Sequence, residues 1–514
     1  MAEPEILRTD VLVVGAGPSG LMAAVVLARR GVDAIVVDGK DGPTHESRAL
    51  LVQARSMELY DQLGLADRVL AGRAEASGAV LGFRHRELGR IPLRRFGEGL
   101  TPFPDLTVFE QSRNERLLVD ALAESGREVR WRHRLVALRS QTSLVSATLD
   151  GPDGALIVEA RHVIGADGAH SAVRELHGIP FEGVTNQHTF FVADAIGVSG
   201  LVEGWVNVRF APDDLLLSFP MGGEGHHRIL GVVRDTELEG ADELSEKLLR
   251  SRLARGFTVG YRSSTWFATY RLHHRVAARF RDGRCFLVGD AAHIHSPVGG
   301  QGMNTGLQDA HNLANALGDV LVGGMPPTRL DRYEAERRPV ALKLVATTDR
   351  LFGNVTSESR LAHAVRGRMV PTVGRLLAPV LPRILGGDRV FGLISQIRIR
   401  YRMSDRTPSR SQVRDDVVGK RLPYTGGDPS NFDALRSFRW QVHGYGAPAE
   451  LVRGVAASLG LEHHVLPPAA GRLRSDRLYL VRPDGFVAAE ASTTAGRRAR
   501  RGAVPASFLE QLDG

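Results

Sequence analysis

Two rhythms of apolar residues alternate along this chain, one with the spacing of strands and one with that of helices. Residues 9–14 (Thr-Asp-Val-Leu-Val-Val) form a short apolar run suited to a buried parallel strand. A glycine-rich turn follows. Leu21 to Arg30 then reads as a helix with small residues facing the strand, and Val32 to Asp38 as a second strand. Together they make one βαβ unit of about 30 residues. From Ser56 to Leu70 the spacing is helical, residues 72–110 are strand-like and broken by Gly and Pro, and Asn114 to Ser125 is an amphipathic helix. Residues 128–164 alternate as antiparallel strands do, with a hairpin signal at Asp150-Gly151-Pro152-Asp153-Gly154.

Alternation returns over residues 186–272, in Phe190 to Ala195, Trp205 to Phe210, Leu215 to Phe219 and His227 to Val233. A helix is expected near Asp242 to Arg255 within this β-rich stretch. Cys285-Phe286-Leu287-Val288 rejoins the first unit, and helices dominate from Met303 to about Ile399. Residues 403–430 lack periodicity and read as a linker. The remaining residues look like a small α/β module, with Tyr479-Leu480-Val481 and Phe486-Val487-Ala488 flanking the hairpin Arg482-Pro483-Asp484-Gly485. The fold class is α/β, and four stretches follow: 1–185, a β-rich 186–274, 275–402 returning to the first domain, and 403–514.

Composition narrows the classes. A chain of 514 residues is too long for one ordinary core. Its 43% hydrophobic and 24% charged content is that of a soluble globular protein. No apolar run approaches the roughly 20 residues that span a bilayer, and Glu3, Glu5 and Asp10 around a short strand do not read as a signal peptide. The cytoplasm is the expected compartment. The single cysteine, Cys285, excludes an intrachain disulfide and a cysteine metal cluster, and no metal site is expected. The net charge of +8 invites a nucleic-acid reading. Its arginines are spread along the chain, densest at Arg497 to Arg501, and no nucleic-acid motif accompanies them. A solvated surface is the preferred reading, then a field that steers an anionic cofactor.

Three distant signatures carry the chemistry. In Gly15-Ala16-Gly17-Pro18-Ser19-Gly20 the first glycine allows a tight turn, the second a close approach of backbone to a diphosphate, and the third close helix–strand packing. Asp38, at the end of the next strand, suits ribose hydroxyls. This signature alone does not separate NAD from FAD. The second, Gly165-Ala166-Asp167-Gly168 with Ser171 and Arg174, is a turn after a strand. The third, Gly289-Asp290-Ala291-Ala292-His293 running on to Gly299-Gly300-Gln301-Gly302-Met303-Asn304, brings the reading to FAD. There Asp290 can bond a ribityl chain, and a helix starting near Met303 can stabilise negative charge on a reduced flavin.

In this order the motifs resemble the FAD-dependent aromatic hydroxylases of the para-hydroxybenzoate hydroxylase type, over about residues 9–345. The likeness includes Ser47-Arg48-Ala49-Leu50, Gln111 with Glu115, and Tyr333 to Val340. It implies a Rossmann-type FAD-binding domain, a β-rich substrate domain, and a C-terminal module similar to the thioredoxin-like extension of the phenol- and polyketide-hydroxylase branch. Removing residues 410–514 is expected to leave flavin binding largely intact but to impair solubility or substrate handling. The resemblance implies FAD as cofactor, NADPH or NADH as cosubstrate docking without its own Rossmann domain, and O2 delivered to a phenolic or polycyclic ring from a flavin C4a-hydroperoxide. It further implies that Asp38 binds the adenosine ribose, Arg48 and Gln111 the ribityl–diphosphate stretch, and Asp290 the ribityl chain. Gly300 to Asn304 would border the pyrimidine edge, with Pro297 and Gly299 near the reactive carbon. Position 38 departs from the family, which more often has Glu there.

Arg209, Phe219, Trp266, Phe267 and Tyr270 are candidate substrate contacts by location, although alternation would turn some outward. His293 and His295 tempt assignment as a general base, and a structural role is the better reading. The apolar segment Leu376 to Leu385 reads as a bundle or dimer face. Baeyer–Villiger insertion, antibiotic inactivation or a flavin protein without monooxygenation would show the same motifs.

Overall fold

Glu5–Val14, the first strand, lies near the centre of a mixed sheet whose main order is Arg281–Asp282, Cys285–Leu287, Gly154–Gly165, Glu5–Val14, Ala34–Asp38, Val129–Trp131, parallel except for the first pair. This is a computed structural model, and it describes residues 5–45, 49–92, 96–211, 214–234, 244–295, 300–356, 391–392, 394–403, 417–469, 471–493 and 504–513. Arg48, Pro297, Gly299, Leu376 to Leu385 and Arg497 to Arg501 lie outside the described residues. The helix Pro18–Arg29 packs under the sheet against Gly302–Leu321 and Gln111–Glu124, and one apolar core joins all of them. The helical spacing from Ser56 to Leu70 resolves into two helices, Ala54–Gln62 and Ala66–Gly72. Residues 129–165 are not simply antiparallel. Val129–Trp131 runs parallel to Ala34–Asp38. Gly154–Gly165 pairs antiparallel with Val145–Gly151 and, on its other edge, parallel with Glu5–Val14.

A second sheet carries eight strands, in the order His293–Ile294, Ser263–Ala277, Phe181–Ile196, His226–Arg234, Leu215–Pro220, Val206–Phe210, Gly78–Phe83, Arg86–Pro92. The last two strands come from the stretch expected to belong with residues 1–185. Gly78–Phe83 pairs parallel with Val206–Phe210, a partnership between distant segments that alternation does not reveal. The strands Phe181–Ile196 and Ser263–Ala277 also run past the expected boundaries at 186 and 274. One face of the sheet is covered by the helix Glu246–Phe257, capped by Ser245 through Leu248 N–H (3.3 Å). Phe191, Leu216, Ile229 and Val233 pack there against Leu249, Leu253 and Phe257.

The C-terminal sheet has the order Glu462–Leu466, Gln441–Tyr445, Arg477–Val481, Val487–Ser492, the first pair parallel and the others antiparallel. The helices Ala449–Leu459 and Ala506–Leu512 accompany it. Part of the expected linker is core: Val417 and Leu422 are buried with Tyr445 and Tyr479. This module is keyed into the rest of the molecule by buried charge. Arg482 is fully buried, forked onto Glu336 (2.5 and 2.9 Å) and Asp484 (3.0 and 2.6 Å). Arg421 and Arg55 share Glu58 (2.5 and 3.1 Å), and Gln62 donates to Leu435 O and Pro483 O (2.8 and 2.6 Å). Among the described residues no helix is long and apolar enough to cross a membrane.

Candidate active site

The three glycine signatures meet at the amino end of the helix Pro18–Arg29. Gly15 takes φ +103° as the chain leaves the first strand, and its N–H donates to Val37 O (2.8 Å). Both Asp38 oxygens accept backbone N–H groups, from Ala16 (2.6 Å) and Lys40 (2.8 Å), so the acid closes the turn at the ends of two neighbouring strands. A Cβ on Gly20 would strike the Gly15 carbonyl, and one on Gly289 or Gly306 would strike Ser19 Oγ. Around Gly17, by contrast, nothing lies within 4 Å of where a Cβ would be. The helix has no side-chain cap there. An uncapped helix start facing open space, beside a carboxylate at the strand end, fits a dinucleotide diphosphate and its ribose.

The second signature braces the third. Arg174 donates to Ala169 O (2.9 Å) and Ala291 O (3.2 Å) and lies over the Phe181 ring at 4.1 Å. Asp167 accepts from Val173 N–H (3.1 Å). Burial raises its pKa above the ordinary carboxylate value, and hydrogen bonds from Ser171 and Val173 oppose that only in part.

Cys285–Leu287 delivers the chain to a short turn, Gly289–Ala291, on which Asp290 is exposed beside buried neighbours. His293, next along, is held inside. Its Nε2 is 2.7 Å from Asp309 Oδ2, and Asp309 Oδ1 accepts from Arg337 Nε (2.6 Å). Burial would raise the Asp309 pKa, yet Arg337 and His293 hold it below the usual range. His293 is therefore a packing and anchoring residue, as the sequence reading preferred. His293 and Ile294 then pair with Val276 and Arg275, so the third signature runs straight into the edge of the second sheet.

Gly300 packs on Leu51, and Gly302–Leu321 begins two residues later. Asn304 is wholly buried. Its Oδ1 accepts from Gln53 N–H (2.8 Å), and its Nδ2 donates to Leu51 O and Gly300 O (both 2.8 Å). Its side chain clamps the strand Leu51–Val52 against the helix start, and a cofactor contact from Asn304 would have to come from its backbone. Met303 Sδ is 3.5 Å from Asn114 Nδ2. Gln111 accepts from Ala49 N–H (3.3 Å) and donates to Glu115 (3.0 Å). Glu115 also takes Thr44 N–H (2.8 Å) and Lys40 Nζ (3.4 Å). Lys40 is a neighbour that sequence reasoning passed over, although it lies two residues past Asp38.

The five substrate candidates divide between two faces of the second sheet. Phe219, Trp266 and Tyr270 lie half-buried on the face turned away from the Glu246–Phe257 helix. Phe267 packs into the helix-side cluster, and Arg209 sits opposite Leu216 on that same side. Arg209 is 3% exposed, and burial lowers its pKa. Arg209 and Phe267 thus do not share a pocket with the other three, because successive strand residues point to opposite faces.

A family model described as "FAD binding domain" matches residues 8–348. The chain belongs to that family of flavin monooxygenases. One family relative is the 6-methylpretetramide 4-monooxygenase of Streptomyces rimosus, 37% identical over 443 residues, which are 85% of this chain and 78% of that protein. Two solved structures align with the chain over nearly their whole length. The flavin-dependent monooxygenase PieE, solved with FAD and substrate, superposes with a TM-score of 0.81 at 26% identity, covering 99% of this chain and 100% of PieE. The Diels-Alderase PyrE3 superposes with a TM-score of 0.72 at 26% identity, covering 94% of this chain and 96% of PyrE3. FAD is thus the cofactor that the family and the PieE complex support for this chain.

Proposed function

We propose that this flavin monooxygenase uses NADPH or NADH and O2 to hydroxylate a phenolic or polycyclic aromatic substrate. The observation that carries the reading is the convergence of the three signatures on an open, uncapped helix start whose third signature continues into the second sheet. FAD, when bound, supplies electron storage and oxygen activation. The rest is the chain's work. Gly15, Gly17, Ser19 and Gly20 would receive the diphosphate, Asp38 the ribose, and Asp167 and Asp290 the ribityl region. Gly300, Gly302, Met303 and the backbone of Asn304 would form the floor beside the ring. The half-buried face of the second sheet would orient the substrate and keep water away. We place the reaction in the cytoplasm, and read the C-terminal module, by its strand order and senses, as thioredoxin-like without redox cysteines. A second reading, flavin binding without monooxygenation, is favoured by the likeness to PyrE3, a Diels-Alderase.

The test is the visible spectrum under nitrogen. Flavin bands that bleach on adding NADPH, faster with a polycyclic phenol, support the hydroxylase. Bands that persist with every such ligand favour the second reading. Asp290→Ala should purify with little flavin, and full occupancy in that variant would remove Asp290 from the site.

A further inference from the structure

On the face of the second sheet turned away from its helix, a buried charge pair borders an apolar row, with His226 beside it along the strand His226–Arg234. Cross-strand register sets Phe219 opposite Arg228, Arg228 opposite Asp194, and Asp194 opposite Trp266, a row across four strands. The adjoining row is Val208, Leu217, Leu230, Val192 and Ala268, with no polar side chain in it. Within the first row, Arg228 Nε and Nη2 donate to the two Asp194 oxygens at 2.5 and 2.6 Å. Arg228 is 1% exposed, and the Trp266 ring lies 5.3 Å from its guanidinium carbon. The fork uses Nε and Nη2, and Nη1 is left buried without a hydrogen-bond partner among the described residues.

A bidentate Arg–carboxylate pair in a dry wall carries no net charge and fixes the guanidinium plane. Such a wall offers nothing to an anionic substrate, whose unpaired charge would be desolvated for no return. It does hold unpaired buried nitrogens, Arg228 Nη1 and His226 Nε2, and an orphaned buried polar group is costly until a partner arrives. We infer that this wall selects uncharged fused-ring substrates bearing a carbonyl or phenolic oxygen, with Arg228 Nη1 as the donor and Asp194 as the counter-ion that keeps Arg228 from capturing carboxylates. Leu217, Leu230 and Val208 supply the flat apolar surface on which such a ring system lies. The inference rests on the proposed function, since it needs this face to be the substrate wall.

The experiment uses the full-length, flavin-loaded protein and two probes of one shape: 1,8-dihydroxyanthraquinone and its 3-carboxylate. Affinity is read from the perturbation of the flavin spectrum, with flavin content checked in each preparation. The neutral probe should bind at least tenfold more tightly. Asp194→Asn, which leaves Arg228 as a lone cation, should move the ratio at least tenfold toward the carboxylate. Leu217→Arg adds a cation on the same face without breaking the pair and should move it the same way, even should Asp194→Asn fail to fold. Equal binding of both probes, no binding of either, or a ratio unmoved in a flavin-loaded variant would overturn the inference. A protein that takes up no flavin would instead be the failure of the functional reading.

Discussion

Asp167 shows how a single buried side chain sets a condition on the whole site. Its carboxyl pKa is raised because burial disfavours the anion more than Ser171 and Val173 favour it. The stability it contributes is therefore complete below the unfolded-state value, near 3.8, and is lost as pH rises through the higher folded-state value. At neutral pH the carboxylate is a liability in the flavin-free protein. Asp167→Asn keeps an acceptor for the Val173 amide and removes the charge. Thermal melts of the flavin-free variant should lie above wild type at pH 7, with the gap closing as the pH is lowered toward 4. A gap that widens on acidification would mean that the Asp167 carboxylate stabilises the fold.

Among elements, the second sheet separates two kinds of aromatic residue that are adjacent in sequence. Phe267 belongs to the helix-side core, so Phe267→Ala should cost about 3 kcal/mol, in line with core aromatic truncations, with substrate KM little changed. Trp266→Ala should alter KM and the coupling of NADPH oxidation to product while leaving the denaturation midpoint nearly in place. Chemical denaturation beside steady-state kinetics separates the two, and the reverse pattern would invert the assignment of faces. The strands and helices were legible from apolar spacing, because a strand or helix announces its period locally. Which strands pair was not. Gly78–Phe83 was taken for part of the first domain since its partner, Val206–Phe210, lies far along the chain. The glycine signatures were legible because each needs bare backbone at a fixed place. The Asp194–Arg228 pair was missed. Its one signal was an acid inside the apolar run Phe190 to Ala195, and only the register shows the arginine beside it.

Over the whole molecule, the C-terminal module is bound by charges that neither part can leave unpaired. Glu336 has Arg482 on both oxygens, and Glu58 depends on Arg421 as well as Arg55. Breaking a buried pair by removing one partner costs about 3–5 kcal/mol. Arg482→Met should therefore lower the unfolding free energy by roughly that amount. Deleting residues 417–514 should give a product that takes up no flavin, against the sequence expectation that flavin binding would survive with impaired solubility. A soluble, yellow truncated protein would show that the interface is an accessory to the fold.

The Arg482–Glu336 lock has a consequence for how the protein is made. A ribosome that has finished the flavin-binding helices has already built Glu336, while Arg482, which neutralises it, is still untranslated. That acid must wait in water until Arg482 emerges, so the flavin domain cannot close its contact with the C-terminal module as the chain grows. Synthesis therefore passes through an open precursor, and a stop codon ahead of Arg482 leaves Glu336 without its partner.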